Sequence, residues 1–187
     1  LDGTTNFLHG LPVWAVSVAC RRRDRWLAGV ILDPCGGNRF TASRGGGAFW
    51  NGREMRVSDR PGVQGSFLAT GYPFRALSAL DLYLELFRSV LVRARAVRRC
   101  GAAALDLAYT AAGVYDGFFE LRLSIWDIAA GALLIEEAGG VLTDLDGAAG
   151  WTASGNVLAG APGVQAELLE LARAVASEER IDRLVPR

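Results

Sequence analysis

Four short stretches of this chain carry the residue types that bind hard cations and phosphate. The first is Asp2-Gly3-Thr4-Thr5-Asn6-Phe7. A carboxylate such as Asp2 ligates a hard cation through oxygen. Gly3 lets the backbone turn tightly and come close to a ligand. If a helix begins after Gly3, the N–H groups of Gly3, Thr4 and Thr5 converge on one spot and accept an anion, phosphate especially. Thr4 adds a hydroxyl that can orient a water. Taken alone, a turn followed by a helix N-cap explains the stretch more simply.

The second stretch is Trp126-Asp127-Ile128-Ala129-Ala130-Gly131. Asp127 opens a predicted helix, where the dipole stabilises a carboxylate by roughly 0.3–1 kcal/mol. The rest of that helix is apolar and small, and Trp126 stands beside the lone acid as a bulky wall. A metal gives such an acid a reason to be there. The third is Glu120, at the end of "DGFFEL" and seven residues before Asp127. It can accept hydrogen bonds from a polyol, although a surface Glu is the simpler local reading. The fourth is Gly101-Ala102-Ala103-Ala104, whose small residues admit either a ligand or a close-packed helix. His9 reads as a loop or helix-end residue. Asp144 and Asp146 share the D-x-D-G spacing of a calcium loop but lack the later ligands, so they read as a turn.

The elements that must position these residues follow from periodicity. Residues 14–57 read as an antiparallel meander. In "WAVSVACR" the larger Trp14, Val16 and Val18 alternate with the smaller Ala15, Ser17 and Ala19, then "WLAGVIL", "RFTAS" and short strands around Asn51-Gly52 follow. Residues 58–66 mark a boundary between this half, 1–65, and an α/β half, 66–187. In the second half, strands are expected in 66–73, 96–100, 116–121, 141–147 and 156–162. Helices are expected over 76–94, 101–113, 126–140 and from Pro162 to about 179. The whole reads as layered α/β with two sheets.

Composition excludes much chemistry. The 187 residues suit one domain of ordinary size, and 51% hydrophobic content argues against disorder. All 20 basic residues are Arg, so neither a lysine Schiff base nor a P-loop lysine is available. A Ser-His-Asp triad would have to run through His9. The net charge of zero gives no field to attract nucleic acid or an acidic membrane. Arg21-Arg22-Arg23 reads as a hairpin tip, and Arg93, Arg95, Arg98 and Arg99 as a helix end. Cys20, Cys35 and Cys100 show no zinc spacing and read as buried reduced thiols of a cytoplasmic protein. No apolar run is long enough to span a bilayer, so no membrane partner is expected. Carboxylates, hydroxyls and amides remain, a set that favours magnesium.

Taken in order and separation, "LDGTTNF" and "WDIAAGALLIEEAGG" resemble the two signatures of the inositol monophosphatase family of magnesium-dependent phosphatases. "CGAAALDLAYTAAGVYDGFFE" between them resembles the bacterial branch of that family, and the likeness covers essentially the whole chain. It implies an αβαβα sandwich of the inositol monophosphatase/fructose-1,6-bisphosphatase type, without its N-terminal helices. It implies Mg²⁺-dependent hydrolysis of a small phosphorylated polyol or sugar by a metal-activated water. Asp2, Asp127 and the Leu1 carbonyl would ligate metal. Gly3 and Thr4 amides would hold phosphate, with the Thr4 hydroxyl orienting the water. Gly101, Ala102, Ala103 and Glu120 would bind the substrate. A homodimer is common in the family.

Many relatives have Ser or Thr where Ala102 stands, so a hydroxyl contact is lost there and only a backbone contact remains. The family's first motif begins two residues before Leu1, with a metal-binding Asp, and a further Glu ligand lies upstream. The chain is therefore expected to be an N-terminally truncated piece with little activity of its own. Inositol-1-phosphate is the expected substrate of the parent. A fructose-1,6-bisphosphatase or a histidinol phosphatase is the nearest alternative. A non-catalytic interaction subunit that keeps the fold is another, since some bacterial relatives are implicated in binding transcription machinery.

Overall fold

Tight turns build the first half of the computed structural model, which describes residues 1–74 and 76–176. Strands β1 (Val16–Arg22), β2 (Arg25–Asp33), β3 (Asn38–Ser43), β4 (Gly47–Trp50) and β5 (Arg53–Glu54) form one antiparallel sheet in chain order. Asn51 and Gly52 both take positive φ, 50° and 83°, the backbone that a two-residue hairpin demands. Arg21 to Arg23 lie at the β1–β2 tip as expected, with Arg23 at φ 52°.

The alternation in β1 has a definite sense. Val16 pairs with Leu32 and Val18 with Val30 on the outward face, where Val18 is 59% exposed. The small residues face inward, against helix α4 (Ile125–Glu137). A Cβ on Gly29 would stand only 3.1 Å from the Ala130 backbone, so small residues let the helix sit close to the sheet. The same alternation turns Cys20 outward. Cys20 and Cys35 are exposed and Cys100 is half-buried, contrary to the expectation of buried thiols; all three are free. Cys35 lies in the turn between β2 and β3, where no core reaches it.

The second half contains β6 (Phe67–Thr70), α2 (Leu80–Leu91), β7 (Ala96–Arg98), α3 (Ala103–Ala111) and β8 (Gly117–Glu120). After α4 come β9 (Val141–Thr143), α5 (Trp151–Ser154), β10 (Val157–Gly160) and α6 (Pro162–Val175). A short α1 (Thr4–Leu8) opens the chain. The second sheet runs β7-β6-β8-β10-β9, with β6 parallel to both neighbours and β10 antiparallel to both of its own. Helices α3 and α4 pack together between the two sheets, and α2 and α6 cover the far face of the second. The order is sheet, helices, sheet, helices, the layered α/β architecture expected.

Three elements differ from the sequence expectation. The helix foreseen over 76–94 is a 3-10 turn at Leu77–Ala79 followed by α2, and it ends at Leu91. The chain must turn there to bring Arg95 N–H onto the Ser66 carbonyl at 2.8 Å and start the parallel β7. The strand foreseen over 141–147 stops at Thr143, because the buried Asp144 carboxylate takes the Leu145 N–H and the Ser154 hydroxyl. Helix α5 is an addition, closed by Gly155 in the left-handed region. The end of the last foreseen helix, 177–179, lies outside the described residues. Among the described residues, no helix is long and apolar enough to cross a membrane.

Candidate active site

Asp2 is fixed by its backbone. Its N–H and C=O exchange hydrogen bonds of 2.9 Å with Ala15, joining it to the start of β1. Gly3 follows with φ 77°, and a Cβ there would lie 2.9 Å from the Val13 carbonyl oxygen, so only glycine fits. The turn sends the chain into α1 and aims the Asp2 side chain at α3. Its Oδ2 accepts from the Ala104 N–H at 2.8 Å. The N-cap of α3 is Ala102, which has no side-chain acceptor, so Asp2 caps that helix from a distant part of the chain. Its Oδ1 accepts from the Gly3 N–H at 2.7 Å.

Asp127 is the third residue of α4, and its Oδ2 accepts from the Ser124 N–H at 3.3 Å. Glu120 ends β8 and is 7% exposed, which corrects the surface reading. It fits because Gly71 has no side chain: a Cβ there would fall 2.1 Å from the Glu120 carboxyl carbon. One acid went unremarked in the sequence. Asp106, in the first turn of α3, is 2% exposed. The signal was available, since Asp106 is a lone carboxylate in a small apolar helix, the same feature that drew attention to Asp127.

These acids meet in one cavity of about 530 Å³. Its walls contain Leu1, Asp2, Gly3 and Thr4 from the N-terminus, and Gly101, Ala102, Ala103 and Asp106 at the head of α3. Glu120 and Asp127 close it from the other side, so all nine residues singled out from the sequence line the same space. Trp126 lines the rim, but it is 67% exposed and leaves Asp127 without a buried aromatic wall. His9 caps the C-terminal end of α1 outside the cavity, and Asp144 and Asp146 lie elsewhere.

The electrostatics are those of crowded carboxylates. Burial, then the Asp2 charge, pushes the Asp106 carboxyl well above the usual range, with Arg99 opposing. Burial does the same to Glu120, followed by Asp106 and Asp2; Arg99 opposes and Asp127 adds. Among the described residues, Arg99 and Arg122 are the arginines in the wall. Such a set relaxes if a cation enters it. Among the described residues, no three His, Cys, Asp or Glu side chains lie close enough to clasp a metal unaided. That is compatible with Mg²⁺, which is commonly held by one or two carboxylates and completed by water and substrate phosphate. The all-oxygen donors of Leu1, Asp2 and Asp127 fit that pattern.

Comparison with known proteins agrees with this geometry. The profile of the inositol monophosphatase family matches residues 1–179. Nus factor SuhB of Pseudomonas aeruginosa is 52% identical over 162 residues, covering 86% of this chain and 60% of that protein. Inositol-1-monophosphatase of Mesorhizobium japonicum is 48% identical over 170 residues, covering 91% of this chain and 64% of that protein. The chain thus spans less than two thirds of the length of these curated relatives. In structure, it is similar to the extragenic suppressor protein suhB of Bartonella henselae, with a TM-score of 0.88 and 45% identity over 92% of this chain and 66% of that one. The family match, the two sheets with helices between them and the acidic cavity together assign the chain to the inositol monophosphatase family.

Proposed function

We propose that this chain carries the metal- and phosphate-binding centre of a Mg²⁺-dependent phosphomonoesterase acting on a small phosphorylated polyol or sugar, inositol-1-phosphate first. The observation that carries the reading is the convergence of Asp2, Asp106, Glu120 and Asp127 on one cavity beside the starts of α1, α3 and α4. Asp2, Asp127 and the Leu1 carbonyl would hold Mg²⁺. When bound, the ion supplies charge neutralisation for the phosphate and a water of lowered pKa.

The protein's own groups do the rest. The Gly3 and Thr4 amides face the phosphate, and the Thr4 hydroxyl orients the attacking water. The Gly3 N–H is engaged by Asp2 Oδ1, so the two roles are coupled: phosphate takes this amide only when that oxygen leaves it. Asp2 Oδ2 stays on the Ala104 N–H and keeps the carboxylate aimed. Glu120, whose carboxyl burial pushes well above the usual range, can accept from a polyol hydroxyl and, when protonated, donate to one. Gly101, Ala102 and Ala103 offer backbone to the same polyol, and no side chain there blocks its approach.

A second reading, a non-catalytic interaction subunit, is favoured by the name Nus factor borne by the Pseudomonas aeruginosa relative. Phosphate release from inositol-1-phosphate separates the two. It is measured with Mg²⁺ and with EDTA, on the 187-residue chain and on the chain extended to its relatives' length. The phosphatase reading expects Mg²⁺-dependent release from the extended form and far less from the chain alone. No release from either form, together with a partner captured regardless of metal, would favour the interaction subunit.

A further inference from the structure

Between Glu120, at the end of β8, and Asp127, in the first turn of α4, the chain makes a short loop whose Leu121, Arg122 and Leu123 line the cavity. Both acids depend on the shape of this loop for their aim. Arg122 holds φ at 64°, in the left-handed region that a residue with a Cβ rarely adopts. Among the described residues, the other two non-glycine residues with positive φ, Arg23 and Asn51, sit in hairpin turns outside the cavity. A strained backbone persists only where its surroundings hold it, and such positions gather at functional sites.

The strand alongside supplies that hold. β10 pairs with β8 up to Val157 opposite Glu120, and the residues just before Val157 run on beside the loop. Asn156 is fully buried, and its Oδ1 accepts from the Arg122 N–H at 3.3 Å. The Gly155 carbonyl accepts from the Leu123 N–H at 2.8 Å. A Cβ on Gly155 would fall 2.1 Å from the Leu123 carbonyl oxygen, so glycine lets the loop lie against this strand. The Nδ2 of Asn156 meets no acceptor among the described residues. An apolar side chain of similar size would fill the same space without a buried donor to satisfy. The carboxamide is therefore explained by its oxygen rather than by packing.

We infer that Asn156 is a positioning residue for the proposed reaction: its carboxamide oxygen holds Arg122 in the left-handed turn that aims Glu120 and Asp127 into one cavity. The inference rests on the proposed function for the roles of those two acids. Asn156 does not line the cavity itself and acts on them through the main chain of the loop. A misplacement of about 1 Å made far from the chemistry can cost about a hundredfold in rate.

The test compares wild type, Asn156→Ala, Asn156→Leu, Arg122→Gly and the double variant Asn156→Ala/Arg122→Gly, each in the chain extended to its relatives' length. Hydrogen exchange followed by mass spectrometry reads the loop, and kcat and KM for inositol-1-phosphate with Mg²⁺ read the site. Asn156→Leu keeps the volume and removes only the acceptor. Both Asn156 variants should speed exchange of the amides in 121–124 by about tenfold or more, with those of β8 and β10 within about twofold. They should lower kcat/KM by about tenfold to a hundredfold. Glycine takes the left-handed region without strain, so in the Arg122→Gly background Asn156→Ala should cost less than about threefold in either readout. Unchanged exchange in the loop, faster exchange spread evenly over loop and strands, or a loosened loop with unchanged kcat/KM would overturn the inference. So would wild-type behaviour of Asn156→Leu, or an equal cost of Asn156→Ala in both backgrounds. The expected exchange pattern with no phosphate release from wild type would support the hold of Asn156 on the loop and overturn the phosphatase reading instead.

Discussion

The cavity and the loop after β9 both bury carboxylates, and they do so in opposite ways. Asp144, fully buried beneath α5, meets a donor at each oxygen: the Leu145 N–H on one side and the Ser154 hydroxyl on the other. Ser154 in turn accepts from the Asn156 N–H at 3.1 Å. That acid ends β9 and anchors the loop to β10. In the cavity, by contrast, Asp106 and Glu120 are buried facing other acids, and both are pushed well above the usual carboxylate range. A buried acid surrounded by donors stabilises a fold. Buried acids that face one another raise the free energy of the empty site and leave room for a cation to lower it.

Substitutions can break or sharpen that contrast. The largest effect is expected at Asp127. Asp127→Asn keeps an oxygen for the Ser124 N–H but removes a metal-binding charge, so Mg²⁺-dependent kcat/KM should fall by roughly a thousandfold with the fold intact. Asp144→Ala should do the reverse. It strands the Leu145 N–H and the Ser154 hydroxyl, and urea unfolding should show a loss of about 2–4 kcal/mol with unchanged activity per folded molecule. A loss of activity at Asp144 without a loss of stability would erase the distinction.

Asp106→Asn probes the crowding through pH. The folded state raises this carboxyl above its unfolded value, so the folded form binds the extra proton. Its contribution is therefore fully present below the unfolded pKa, about 3.9, and is lost as pH rises through the raised folded value. The Asn variant carries no such proton, so its stability should decline less with pH, and its advantage over wild type in urea melts should grow from acid towards neutral pH. The smallest change is expected for Glu120→Gln. Burial pushes the Glu120 carboxyl towards its protonated form, which Gln matches in size and hydrogen-bonding atoms, so the amide should shift KM for inositol-1-phosphate by less than about tenfold.

Much of this was legible in the sequence because the motifs are local. Asn51-Gly52 specified its hairpin, Pro162 started α6, and the lone acid before a small apolar helix marked Asp127. What escaped depends on partners far along the chain. Glu120 looked exposed because nothing in "DGFFEL" announces that Gly71, 49 residues away, opens a slot for it. Asp106 was passed over because its helix reads as core, and only the approach of Asp2 turns that core into a cavity wall. Ala102 has no side chain to cap α3, and nothing near it in the chain announces that Asp2, 102 residues before Ala104, supplies that cap. The outward turn of Val16, Val18 and Cys20 followed from the closeness of α4 to Gly29, a packing fact that alternation alone does not orient.

The central claim is that the cavity acids are a cation site and that Asp144 is not. Thermal unfolding of the chain extended to its relatives' length, with and without millimolar Mg²⁺, tests it most directly. A ligand that binds only the folded state raises Tm by linkage. The account predicts that Mg²⁺ raises Tm in wild type, that Asp2→Asn and Asp127→Asn abolish the rise, and that Asp144→Ala lowers Tm but keeps it. An equal rise in all four proteins, or none in wild type, would contradict it.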